Sequence, residues 1–234
     1  HSLNLAVQDT IKTIPACRDA LNLVKDIVNF VRDSPKRLSF FHTLISDESS
    51  GVNLRPLCQT RWTVRYTSIS SVLTNYDALI EFFASIADTD SSSAGSSASG
   101  FLRHMLSFDC FFILSVLKKL FGHIDAVSSA LQRKSLHLEE AHRLIQTLKG
   151  TLQFFRGNFQ DMFETAQKYK RTEIASPELP RKRKIPQKYD NSKDTSVEQF
   201  ESIEQKYRAR YYEIIDASLS FLVSRFETKS FISS

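Results

Sequence analysis

Arg61, Trp62 and Arg65 are the residues whose types and spacing could do chemistry, and that chemistry is recognition of nucleic acid. Pro56 disfavours helix at Arg55, and Thr60 is a good N-cap, so a long helix is expected to open at Arg61. First-turn backbone N–H groups lack intrahelical partners and sit at the positive end of the helix dipole, which favours a phosphate. Arg65, one turn further on, is expected to stack above Arg61. Trp62, the single tryptophan, offers a face on which a base could stack, worth roughly 1–3 kcal/mol. The same spacing allows a second role. Trp62, Tyr66 and Ile69 stand at i, i+4 and i+7, the start of an apolar stripe that would bury the indole.

Other candidate chemistries thin out on inspection. Cys58 has no histidine near it in sequence and is expected to act as a small hydrophobe. His137 and His142 flank Glu139-Glu140, but a spacing of five sets the two imidazoles about 140° apart on a helix, whereas a metal-binding pair uses four. Asp19, Asp77 and Asp109 are isolated carboxylates on helices, and there is no phosphate-cradling glycine loop or Gly-x-Ser-x-Gly. Enzymatic chemistry, a metal site and a cofactor are therefore not expected within this chain. Three cysteines without Cys-x-x-Cys spacing give neither a disulfide framework nor a zinc finger, and suit a reducing compartment.

Charge concentrates in one place. Between Glu178 and Lys188 five positive residues face one negative, which accounts for +4 of the net +5. Within that run Arg181, Lys182, Arg183 and Lys184 could bind phosphates, serve as a nuclear import signal, or form a solvated linker.

The elements that must position these residues are helical. Six Gly and six Pro among 234 residues, with eighteen Phe, favour long helices over a turn-rich β architecture, and 41% hydrophobic content suffices for a sizeable core. The reading is an all-α chain, an elongated bundle of long helices. Residues 1–87 are N-terminal helices: one over 15–32, with Leu21, Val24, Ile27, Val28 and Val31 on one face, a short one from Pro35, and the Arg-Trp helix running to about Ala87. Residues 88–100, rich in Ser and Gly, are expected to be a flexible linker. Residues 101–172 form a central helical hairpin. Its first arm is the apolar core helix, whose run from Met105 to Leu117 is too short to span a bilayer, and a bend is expected at Gly122. Its second arm carries a pairing seam in steps of three and four from Leu138 to Ala166. Residues 173–194 are the basic loop, and 195–228 the C-terminal helix, opened by a capping box at Thr195-Ser196-Val197-Glu198. The chain starts at His1 without methionine and shows no signal peptide, so it reads as a fragment of something longer.

Cys58-Gln59-Thr60-Arg61-Trp62, followed by Arg65-Tyr66 and then Leu73-Thr74-Asn75-Tyr76, resembles the Arg-Trp segment of hAT superfamily transposases and their domesticated zinc-finger MYM-type relatives. His1-Ser2-Leu3-Asn4-Leu5, Leu131-Gln132-Arg133-Lys134, Pro180 to Pro186, Tyr207 to Tyr212 and Leu222 to Phe226 fall in the same order and spacing as that family's pattern. The resemblance implies a helical insertion domain normally carried by a ribonuclease-H-like core. It implies that His1 falls on the signature histidine, and that Trp62 stacks on a flipped base beside a transposon end. The two catalytic aspartates would precede this chain and the glutamate follow it, so the Mg²⁺ or Mn²⁺ chemistry would lie elsewhere. DNA is the implied partner, the nucleus the implied location, and homo-oligomerisation would come through the full-length protein. The alternative is a domesticated, non-catalytic scaffold whose seam binds a protein partner. No membrane partner is expected.

Overall fold

Pro15 begins the first helix among the described residues, α1 (Pro15–Arg32), because Ile14 before it is held extended at φ −96° and ψ 106° while the proline ring supplies a helical φ without needing its missing N–H. The computed structural model describes residues 13–46, 52–57, 63–132, 137–169, 174–179 and 200–226. Among these the fold is all-α, with nine helices and no strand. After α1 come α2 (Pro35–Ser46), α3 (Thr63–Thr74), α4 (Tyr76–Thr89), α5 (Ser93–Met105), α6 (Phe108–Leu131), α7 (Leu138–Gly157), α8 (Phe159–Tyr169) and α9 (Ile203–Phe226). The face expected of α1 is buried in full, together with Cys17 and Ala20.

Four differences from the sequence reading have local causes. The Arg-Trp helix does not run unbroken to Ala87: α3 ends and α4 begins around Asn75, at φ −98° and ψ 26°. Asn75 is buried, and its Oδ1 accepts the Val52 N–H at 3.1 Å while its Nδ2 donates to Val52 O at 2.6 Å and Ser71 O at 2.7 Å. One turn earlier, Ser71 Oγ accepts the Arg55 N–H at 3.1 Å. Two polar side chains thus hold the extended backbone of residues 52–57 against the helix break, where Leu54 enters the core.

The Ser/Gly stretch is largely helix rather than linker. Ser92 caps α5 by accepting the Ala94 N–H at 3.1 Å, and Asp90 Oδ1 accepts the Ser92 N–H at 2.8 Å. Gly95 lies so close to the preceding chain that a Cβ there would stand 1.6 Å from the Asp90 carbonyl oxygen, and Ala98 one turn later is buried. Low complexity here supplies small residues for a tight α4–α5 hairpin.

The apolar run from Phe101 is split at Leu106–Ser107, where α5 and α6 meet at 73°. The carbonyls freed at that corner find partners: Tyr76 OH donates to Met105 O at 2.9 Å and the Ala175 N–H to Leu106 O at 2.8 Å. Gly122, expected to bend the helix, lies inside continuous α6.

The seam is also interrupted, at Asn158 between α7 and α8. Ile145, Leu148, Leu152, Phe155, Phe159, Met162 and Ala166 are buried within this chain against α6 and α9, while Leu138 at its start is 86% exposed. Two aromatic clusters fill the interior. Phe30, Phe82, Phe83 and Phe101 lie 5.2 to 6.5 Å apart in the first half. Phe108, Phe112, Phe163 and Tyr207 lie 5.1 to 6.1 Å apart in the second, mostly edge to face.

Candidate functional site

Of the residues singled out for DNA contact, His1, Arg61, Trp62, Arg181, Lys182, Arg183 and Lys184 lie outside the described residues. Cys58 and the capping box at Thr195 do too. Arg65 is described, and it is not the exposed cation expected above Arg61. It is 6% exposed, inside the bundle, so a nucleic acid running over α3 meets other groups first.

Those groups line a groove of 510 Å³ between α3, α6 and α8. Tyr66 enters it from α3, Lys118, Lys119 and His123 from α6, and the floor includes Leu73, Phe111 and Met162. Among the described residues no carboxylate lines it, although Asp161 pairs with the lining Lys119. Helical spacing explains the arrangement: Lys119 and His123 are four apart and Lys118 is one turn before Gly122, so all three border the strip that Gly122 leaves low. The Tyr66 ring lies on that strip, with Cε2 3.3 Å from where a Cβ on Gly122 would be. A larger residue at 122 would lift the ring away from α6. Lys119 Nζ is 3.7 Å from Asp161 Oδ2 on α8 and 5.5 Å from the Phe155 ring centre, so it is steered across the helix pair. Burial, with the neighbouring Lys119 charge, pushes the His123 imidazole below its ordinary value. The groove therefore offers lysine ammonium groups, an imidazole biased toward its neutral form and an aromatic side chain over an apolar floor.

A larger cleft, 790 Å³, opens between α1, α5, α6 and α9. Its polar groups have both signs: Asp19 and Asp26 from α1, His104 from α5, Asp109 from α6, Lys206 and Arg210 from α9. Asp109 is occupied internally. Lys206 Nζ donates to its two oxygens at 2.9 and 3.0 Å, and the Tyr207 hydroxyl donates to Oδ1. Burial and that carboxylate push the Tyr207 phenol well above its ordinary value, so it stays a donor. Cys110, at the same wall, has its thiol pushed up to about 12 by burial. At this wall the Cys110 thiol stays protonated at neutral pH, and the Asp109 carboxylate is held by Lys206 and Tyr207. Among the described residues no group of three or more His, Cys, Asp or Glu could hold a metal ion, and no single helix is long and apolar enough to cross a membrane.

Sequence reasoning missed the groove because its members are scattered over three helices. Lys118-Lys119 marked only the end of an apolar run, and Tyr66 a stripe position and the end of the Arg-Trp motif. A usable signal was there: Lys118, Lys119 and His123 close together at the end of a strongly apolar run in a core helix. No family model matches the sequence, and no solved structure matches the chain.

Proposed function

We propose that this chain is a DNA-contacting helical domain of a hAT-transposase-like protein, an insertion region that binds nucleic acid and leaves strand cleavage to residues elsewhere. The observation that carries this reading is the groove beside α3, whose described lining holds two lysines, a histidine and a tyrosine and no carboxylate, next to the helix that Arg61 and Trp62 directly precede in sequence. Phosphate contacts from Lys118 and Lys119 supply affinity without sequence preference, and the basic run at residues 181–184 adds to it. Trp62 is assigned to base stacking, by position in the family pattern. Nuclear location and oligomerisation through the full-length protein belong to the same proposal. Docking of a protein partner on the seam has less support, since Ile145 to Ala166 is covered by this chain's own α6 and α9.

Trp62→Ala tests it. As a stacking platform the substitution costs under about 1 kcal/mol of stability and weakens binding to hairpin or single-stranded DNA by about 1–3 kcal/mol. A stability loss of about 3–5 kcal/mol with unchanged DNA affinity would instead make Trp62 a core anchor and count decisively against the stacking role.

A further inference from the structure

We infer that the groove between α3, α6 and α8 is a nucleotide site that holds one unpaired base on Tyr66 with its phosphate at Lys118. The inference rests on the DNA-contacting reading for one of its two nucleotide sources, an unpaired residue in a strand; the other is a free nucleotide. Its chemistry is argued from the groove alone. A volume of 510 Å³ is in the range of about 300–1,000 Å³ typical of small-ligand sites. The floor of Leu73, Phe111 and Met162 is apolar and suits a flat ring system, while Lys118 at the same groove suits an anion, with Lys119 beside it paired to Asp161 at 3.7 Å. Both features together describe a base carrying a phosphate. A lone inorganic anion gains nothing from the floor, and an aromatic without charge gains nothing from the lysines.

Tyr66 is the face that a base would use. Its ring lies beside Gly122, with Cε2 3.3 Å from where a Cβ there would stand, and it borders the groove, so α6 limits how far it can swing. A base inside a duplex has both faces covered by its neighbours and can offer none to Tyr66 without leaving the stack, which costs a few kcal/mol. Selection for unpaired residues follows. Hydroxyls of Ser115 and Thr165 also border the groove, although the Ser115 hydroxyl is already donating to Phe111 O at 2.8 Å and has only its acceptor capacity left.

Fluorescence anisotropy on the full chain tests this, using a fully paired labelled hairpin, the same hairpin with one unpaired 3′ residue, and deoxyadenosine monophosphate as unlabelled competitor. Proton NMR of the tyrosine rings follows the mononucleotide directly. The expected result is tighter binding of the overhang hairpin, displacement by the mononucleotide, and loss of the overhang preference by roughly 5- to 150-fold in Tyr66→Leu. Lys118→Gln, at the rim, should reduce affinity for the unpaired residue and flatten the log-log salt slope by about 0.7. It keeps the test valid should Tyr66→Leu fold poorly. If the preference survives both substitutions and disappears only in Trp62→Ala, the groove is not the site and the DNA reading stands. Should no oligonucleotide bind while the mononucleotide gives a Tyr66-dependent titration, the DNA reading falls and the groove is a site for free nucleotide. If the chain shows no preference for the overhang hairpin and binds no mononucleotide, the inference is overturned.

Discussion

Asn75 and Val52 pair as two strand residues would, the side-chain amide of one taking the N–H of the other at 3.1 Å and returning a hydrogen bond to its carbonyl at 2.6 Å. The break between α3 and α4 lends a side chain where a sheet would use backbone, and it fixes a segment 23 residues away in sequence.

Asn75→Ala should therefore cost about 2–4 kcal/mol in denaturant melts, since it strands the Val52 groups and Ser71 O at a part-buried break. Asn75→Asp keeps an acceptor for the Val52 N–H but turns the donor into a carboxylate facing two carbonyls. Its loss should be at least as large near pH 7 and should shrink on acidification, when the protonated carboxyl regains a donor.

Two glycines should respond in opposite directions to alanine. Gly150 lies within α7 with nothing within 4 Å of a Cβ, so Gly150→Ala should stabilise by about 0.5–1 kcal/mol through helix propensity. Gly95→Ala places its Cβ 1.6 Å from backbone that cannot step aside, and should destabilise by about 3 kcal/mol or more as α5 is forced off α4. Thermal melts of the pair, one up and one down, check the α4–α5 hairpin.

The His123 imidazole, held below its ordinary value of 6.5 by burial and Lys119, links stability to pH. In the window below 6.5 the unfolded chain binds a proton that the folded one resists, so stability is full above that value and falls as pH drops through the folded value. His123→Gln should remove this part of the acid sensitivity. Urea midpoints measured between pH 7.5 and 5 would show it as a flatter dependence.

Replacing Arg181, Lys182, Arg183 and Lys184 by alanine should weaken binding to any DNA about equally, and lower the log-log salt slope by roughly 3 to 4 if all four meet phosphates. Unchanged slope and affinity with failed nuclear accumulation would make the run an import signal.

What the sequence made legible was what repeats along it. The stripe of α1 from Cys17 to Val31 is periodic, and its first helical position is marked by Pro15, so both the element and its face could be read. What stayed hidden depends on distant partners. Tyr76 to Ile86 keeps the helical phase of the residues before it, so nothing local marks the break that Asn75 makes with a segment 23 residues upstream. Ser92, Gly95 and Ala98 have the composition of a linker, and only the neighbouring α4 surface makes them a cap and a contact face. Arg65 shows the converse. Spacing from Arg61 gave its helical face, but which face turns inward is decided by α6, and Arg65 went in.

Lys206 and Tyr207 reach Asp109 across 97 and 98 residues, and with them α9 brings the tyrosines that complete the second aromatic cluster. Helices α4 and α5 need only a short turn to meet, whereas α9 must close a loop of 97 residues to reach Asp109, and shorter ones to reach Phe155 and Phe163. Acquisition of the native state thus splits into a fast, local half and a slow, remote one. During synthesis the aromatic wall of α6 to α8 emerges well before its cover does, and is the surface most open to chaperone capture or self-association in the interval.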